Sequence, residues 1–366
     1  MSGGKRERAH CTLSCKPQMV ASNIAHFLPF LYAVVLALWM NGSSAKAQSL
    51  VLPGQNDTIF QSSDGSSCPS PDPSLYYRPV IGILSHPGDG LNGRVTNATN
   101  VSNIPASYVK FVESAGARVI PIIYNEPEDI IIKKLNMVNG VLFTGGWAKT
   151  GLYYDVAKKI FEIVLAKNDA GDHFPLYGMA LGFELLTMFI SQNNDILEKF
   201  DIKNQASTLQ FSTTDFNGTL FQSFPPDLLA KMSTECLAMH NSKYGISPAR
   251  LQADNALSSF FNILTTSTDT NNVDFVSTAQ AYNYPVVGFQ WIPSRNAFEW
   301  GYNYAIPHTE DTIRVTQQTA NYFISEARKS STRPNPIEVL TDLMYRYPPI
   351  YSGYAGIGYD QVYIFV

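Results

Sequence analysis

Pro175-Leu176-Tyr177-Gly178-Met179-Ala180-Leu181-Gly182-Phe183-Glu184-Leu185-Leu186-Thr187-Met188-Phe189-Ile190-Ser191 is the stretch that decides the fold. An apolar run ends at Gly178, glycines at 178 and 182 bracket a turn, and an apolar segment of helical character follows. This is the layout of a nucleophile elbow, where a strand turns sharply into a helix and lifts one side chain into the open. The two glycines let the backbone turn without colliding with its neighbours. An elbow of this kind presents Cys or Ser at its middle position, and here that position is Ala180.

Upstream, short β-rich runs alternate with helical patterns. Residues 80–84 read as a buried strand and residues 85–103 as a polar, glycine-bearing loop. Tyr108, Phe111, Val112 and Ala115 fall at i, i+3, i+4, i+7, an amphipathic helix stopped by Gly116. A second strand is expected over 118–124, then a short helix over 126–135 whose acidic opening suits a helix N-terminus. Residues 140–143 form a third strand running into Thr144-Gly145-Gly146, and Val156, Ile160, Ile163 and Val164 mark a longer helix. The alternation predicts an α/β fold: a doubly wound, mostly parallel sheet flanked by helices. Functional loops in such a sheet gather at the carboxyl ends of the strands. Gly145, Gly146 and Ala180 all stand at such ends.

Downstream, shorter strands are expected at 219–222, 260–265, 275–280 and 286–291. A helix over 311–330 carries Ile313, Ala320, Ile324 and Ala327 on one side. Asn335 reads as an N-cap, Pro336 as the first helical residue and Glu338 as the capping-box partner. The tyrosine-rich tail ends as a strand over 361–365. The expected organisation is a signal peptide (1–47), a polar leader rich in Ser, Asp and Pro (48–78), one α/β domain (79–330), and a C-terminal helix and tail packed on it (331–366).

The 366 residues are 45% hydrophobic and 15% charged, enough for a large core. A net charge of -4 and a pI near 5.9 do not suggest a nucleic-acid partner. Lys5, Arg6, Arg8 and Lys16 precede an apolar run over 27–40, and Ala45-Lys46-Ala47 offers a cleavage site. That run falls short of the roughly 20 residues needed to span a bilayer, so an export signal is favoured over a membrane anchor. Met19 is an alternative start. Sequons at Asn56, Asn97, Asn100 and Asn217 fit export. Cys68 and Cys236 either pair or remain two thiols, and the spacing favours neither.

A set of motifs goes further. Val80-Ile81-Gly82-Ile83-Leu84, Ala106-Ser107-Tyr108-Val109-Lys110, Glu113-Ser114-Ala115-Gly116-Ala117-Arg118-Val119 and Phe143-Thr144-Gly145-Gly146 stand in the first half. Gly178-x-x-Leu181-Gly182-Phe183-Glu184 and Tyr284-Pro285-Val286-x-Gly288-x-Gln290-Trp291 follow. Together they resemble the gamma-glutamyl hydrolases, particularly the plant form, from about Cys68 to the C-terminus. The resemblance implies a class I glutamine-amidotransferase-like fold. For active members it implies a cysteine-type hydrolase that trims the γ-linked glutamate tail of folates, in the vacuole or outside the cell, usually as a homodimer. It implies no metal and no cofactor.

Active members carry Cys at the elbow, and a His-Pro-Glu run after the Gln-Trp pair. Here the corresponding positions are Ala180, Ile292 and Ser294. A further family histidine is matched by Ser242. Ala180 has no nucleophile, Ile292 transfers no proton, and Ser294 orients no imidazole. By resemblance, the backbone N–H groups of Gly146 and Leu181 remain as oxyanion donors. Gly145, Glu184, Ser242 and His240 are substrate-binding candidates. Glu184 either contacts an amino group of the glutamate tail or serves as a structural carboxylate near a helix N-terminus. His240, two residues before Ser242 on a strand, would share its face and serve as a base for direct water attack, or else be a half-buried strand histidine. His86 is expected to be a solvated loop residue. The leading expectation is an inactive family member pairing with itself or with active paralogues. A folate-polyglutamate binding module and a weak residual hydrolase are the alternatives.

Overall fold

Val80-Ile81-Gly82-Ile83-Leu84 shows no polar alternation, as a parallel strand covered on both faces should not. In the computed structural model, which describes residues 70–96, 98–301, 303–353 and 358–366, this segment is strand β1 (Val80–Leu84) and all five residues are buried. The expected signal peptide, most of the polar leader, Cys68 and the acceptors Asn56 and Asn97 lie outside the described residues. Residues 71–366 form one compact unit.

The other strands, in chain order, are β2 (His86–Pro87), β3 (Ser102–Pro105), β4 (Arg118–Ile122), β5 (Val141–Phe143), β6 (Leu176–Met179), β7 (Glu198–Ser207) and β8 (Gln210–Phe211). After them come β9 (Ala238–Gly245), β10 (Phe261–Thr268), β11 (Asp274–Ala281), β12 (Val286–Phe289), β13 (Ile350–Tyr351) and β14 (Gln361–Phe365). The central sheet runs β4-β1-β5-β6-β12-β11-β10-β8. The pairs from β4 to β12 are parallel and those from β12 to β8 antiparallel.

Alternation along β1 sorts its side chains to two cores. Val80 and Leu84 join one apolar cluster with the helices Leu152–Asp169 and Leu181–Ser191. Ile81 and Ile83 join the other with the helices Ala106–Ser114 and Glu310–Arg328. Helices on both faces and a chain that steps out from β1 to β4 before returning to β5 and β6 make the sheet doubly wound.

The polar loop expected over 85–103 contains β2 and β3, which pair with each other, and β3 also pairs with the C-terminal β14. Residues 219–222 are not a strand. Leu220–Ser223 is a 3-10 turn capped by Thr219, whose side chain accepts from the Phe221 N–H. The helix expected from 126 begins at Glu128, because Pro127 disfavours helical backbone at the residue before it and itself stands extended at the N-cap. The cap at Asn335 is present, its side chain accepting from the Ile337 N–H at 2.9 Å.

Candidate functional site

Strand β6 ends at Met179 and the elbow helix starts at Leu181, which leaves Ala180 to absorb the turn at φ 49, ψ −107. The glycines explain how close the layers come: a Cβ at Gly182 would lie 2.6 Å from the Phe143 carbonyl oxygen, and one at Gly178 2.8 Å from the Gly182 backbone. The Ala180 N–H donates to the Phe289 carbonyl at 2.7 Å, and the Gly182 N–H to the Thr144 carbonyl at 3.2 Å. These bonds tie the elbow to β12 and to the loop after β5. Backbone held in so sparsely populated a region costs about 1–3 kcal/mol. The strain is kept although the side chain it presents is a methyl group.

The neighbouring loop is held by a histidine. His86 is 4% exposed, and its Nε2 accepts from the N–H groups of Trp147 at 3.0 Å and Ala148 at 3.2 Å. Nδ1 faces the Pro87 carbonyl at 2.8 Å, which assigns the ring proton there. Burial, helped by the Lys149 charge, lowers its pKa to about 4. His86 is therefore a neutral bracket for the loop and not a solvated residue; the expectation failed because its burial depends on chain 61 residues away. A Cβ at Gly146 would sit 2.2 Å from His86 Cδ2, so only glycine fits there. The Gly145 N–H donates to the Tyr108 hydroxyl at 2.9 Å. Among the described residues, the N–H groups of Gly146 and Leu181 have no protein acceptor.

Ala180 and Ile292, which the sequence reading expects to be vacated positions, lie in the core. Ala180 is 3% exposed and Ile292 2%, and both belong to the apolar cluster that holds Phe289 and Trp291. The Ile292 N–H donates to the Met239 carbonyl at 2.9 Å. Ser294 is fully buried and its hydroxyl has no partner.

One helical turn past Ala180, Glu184 is buried and its Oε2 lies 2.7 Å from Lys149 Nζ. Gln290 Nε2 donates to Oε1 at 3.4 Å, and the Ser242 side chain stands close by. Burial raises the Glu184 pKa and outweighs the opposing Lys149 charge. Lys149 also lies 4.7 Å from the centre of the Tyr244 ring. Lys149 and Gln290 were not among the sequence candidates; two glycines just before a lysine were the available signal for the first.

His240 does not share the surroundings of Ser242. It is fully buried, edge-on to Phe275 with ring centres 5.1 Å apart, and neither ring nitrogen has a hydrogen-bond partner. Burial lowers its pKa to about 3, against a smaller upward pull from the Gln290 backbone. Strand alternation failed as a guide because Ser242 pairs with Ile202 and His240 with Gln205, an irregular step in the β7–β9 register. Among the described residues Cys236 is exposed and has no disulfide partner, and Cys68 lies outside them. Among the described residues, no group of three His, Cys, Asp or Glu side chains could hold a metal ion.

The Peptidase C26 family model matches residues 79–294. Gamma-glutamyl hydrolase 2 of Arabidopsis thaliana is 59% identical over 322 residues, covering 88% of this chain and 92% of that protein. Gamma-glutamyl hydrolase of Glycine max is 51% identical over 339 residues, covering 92% and 98%. Among solved structures, a glutamine amidotransferase from Thermotoga maritima aligns with a TM-score of 0.35 at 12% identity, over 60% of this chain and 77% of that one.

Proposed function

The chain belongs to the peptidase C26 family of gamma-glutamyl hydrolases, and from that premise we propose that it is a folded member without turnover, acting as the silent partner of an active relative. The observation that carries this reading is the elbow itself: its strained backbone is intact and its side chain is the methyl of Ala180. Amide hydrolysis at such an elbow needs a nucleophile, a base to activate it and donors for the oxyanion. The donors at Gly146 and Leu181 are backbone N–H groups and do not depend on the side chains at 180, 292 and 294; the other two requirements fall on Ala180 and Ile292. Loss of a nucleophile lowers the rate by about 10⁶-fold, and an oxyanion hole alone retains little.

His240 is a poor substitute. A base for water must reach a substrate, and this imidazole is enclosed against Phe275. Its lowered pKa, about 3, also makes it a weak base. The acidic γ-glutamyl tail remains a fitting ligand class, with Lys149 beside Glu184 as a cation near the elbow. An exported chain, in the vacuole or outside the cell, would meet its active relatives there, which is the setting this reading needs.

Co-expression of this chain with a tagged active relative tests the partnership. Mixed dimers with less glutamate release per mole of active subunit are the expected result. Recovery of homodimers alone would refute it.

A further inference from the structure

Arg295 opens a short helix, Arg295–Phe298, directly after the vacated positions. It is 3% exposed, and its Nε and Nη1 have no hydrogen-bond partner. The acid just past this helix, Glu299, uses Oε2 to accept the Asp360 N–H at 2.8 Å and leaves Oε1 unpartnered. Burial pushes Glu299 up to about 7, so it neutralises the guanidinium only in part. Two tyrosine rings flank Arg295, with Cζ 5.1 Å from the centre of Tyr304 and 5.2 Å from that of Tyr359. Ring faces attract the charge but do not satisfy the in-plane N–H donors. A buried guanidinium with open donors is a costly arrangement for folding alone.

The surroundings lead back to the elbow. Tyr108 and Tyr359 pack edge to face with centres 6.4 Å apart. The Cβ position of Gly145 is 2.9 Å from the Tyr108 hydroxyl, 3.8 Å from that of Tyr359 and 3.6 Å from Ala180 Cβ. The two hydroxyls, the loop glycine and the elbow methyl therefore converge within the span of one small group. A planar anion that accepts two parallel N–H bonds is the natural complement of a guanidinium fork.

We propose that Arg295, together with the Tyr108 and Tyr359 hydroxyls, forms a carboxylate subsite beside the elbow that takes an α-carboxylate of a γ-linked glutamyl chain. Every amide in such a chain is flanked by α-carboxylates a few bonds away, so an amide laid over Ala180 brings one towards Arg295. The choice of a glutamyl chain rests on the family reading above; the carboxylate preference rests on Arg295 itself. No bond is made or broken in this step.

The test is calorimetry on the full chain with γ-glutamyl-glutamate and with the analogue carrying amides in place of its α-carboxylates. The wild-type chain should prefer the acid. Arg295→Met should weaken acid binding by about 30-fold and change amide binding by no more than about twofold, so that the preference collapses. Tyr359→Phe keeps the ring and removes the hydroxyl; it should weaken acid binding alone by about fivefold, and it decides the matter if Arg295→Met does not fold. An acid preference unchanged in Tyr359→Phe and in any folded Arg295→Met, or no binding of the acid by wild-type protein, would overturn the subsite. Glutamate found in the cell after titration would instead refute the absence of turnover, and the acid-to-amide ratio would still judge the subsite.

Discussion

Replacing His240 by phenylalanine should change how folding stability responds to acid. His240 is fully enclosed, 5.1 Å from the Phe275 ring, with an imidazole whose pKa burial lowers to about 3. In the unfolded chain the same ring titrates near 6.5. Below about pH 6.5 the unfolded state binds a proton that the folded state refuses until about pH 3. Stability is therefore lost as pH falls through that window, at about 1.4 kcal/mol per pH unit, and by about pH 5 the loss from this residue is roughly 2 kcal/mol. Phenylalanine carries no proton and escapes it. The larger ring adds a packing cost of its own, about 1 kcal/mol or more, that does not vary with pH. The decisive quantity is thus the gap between the two proteins, followed by urea unfolding from about pH 7 down to about pH 5. His86, lowered to about 4, and Glu299, raised to about 7 and opposite in sign, titrate in both proteins and cancel. Below about pH 6.5 the gap should move in favour of the variant by about 1.4 kcal/mol per unit of acidification, roughly 2 kcal/mol in all by about pH 5. Parallel curves would refute the buried, neutral histidine, and loss of a measurable hydrolysis in the variant would return His240 to the chemistry.

Other substitutions probe the elbow and its supports. Ala180→Cys alone should give no more than trace glutamate release, whereas adding Ile292→His and Ser294→Glu should raise that trace rate at least about 10³-fold; equal rates would place the block elsewhere. Gly146→Ala sets a methyl 2.2 Å from His86 Cδ2 and should lower stability by about 1–3 kcal/mol in urea unfolding, while an unchanged midpoint would contradict the bracket. Lys149→Met leaves buried Glu184 without its cation and should lower stability by about 3 kcal/mol near neutral pH. Because Glu184 then holds its proton to higher pH, that deficit should shrink on acidification; a deficit that does not vary with pH would contradict the ion pair.

The parallel half of the sheet was legible because burial on both faces writes itself into unbroken apolar runs. Residues 80–84 match β1 to the residue, and all five are buried. The elbow was legible because two glycines four apart are a steric requirement of that turn, whatever residue sits between them. What escaped depends on partners far off in the chain. His86 is set by the 145–148 loop, Arg295 by tyrosines 304 and 359, and Glu184 by Lys149. No local pattern announces such meetings. The residues 219–222 were misread for a local reason: the Thr219 cap and the turn before it outweighed the apolar content of the segment.

The most direct measurement is glutamate release from a γ-linked oligoglutamate by the purified chain, with an active relative as the positive control. No release above the no-protein blank is the result this account requires. Release that co-elutes with the chain on gel filtration and persists when Ala180 is replaced by glycine would contradict it.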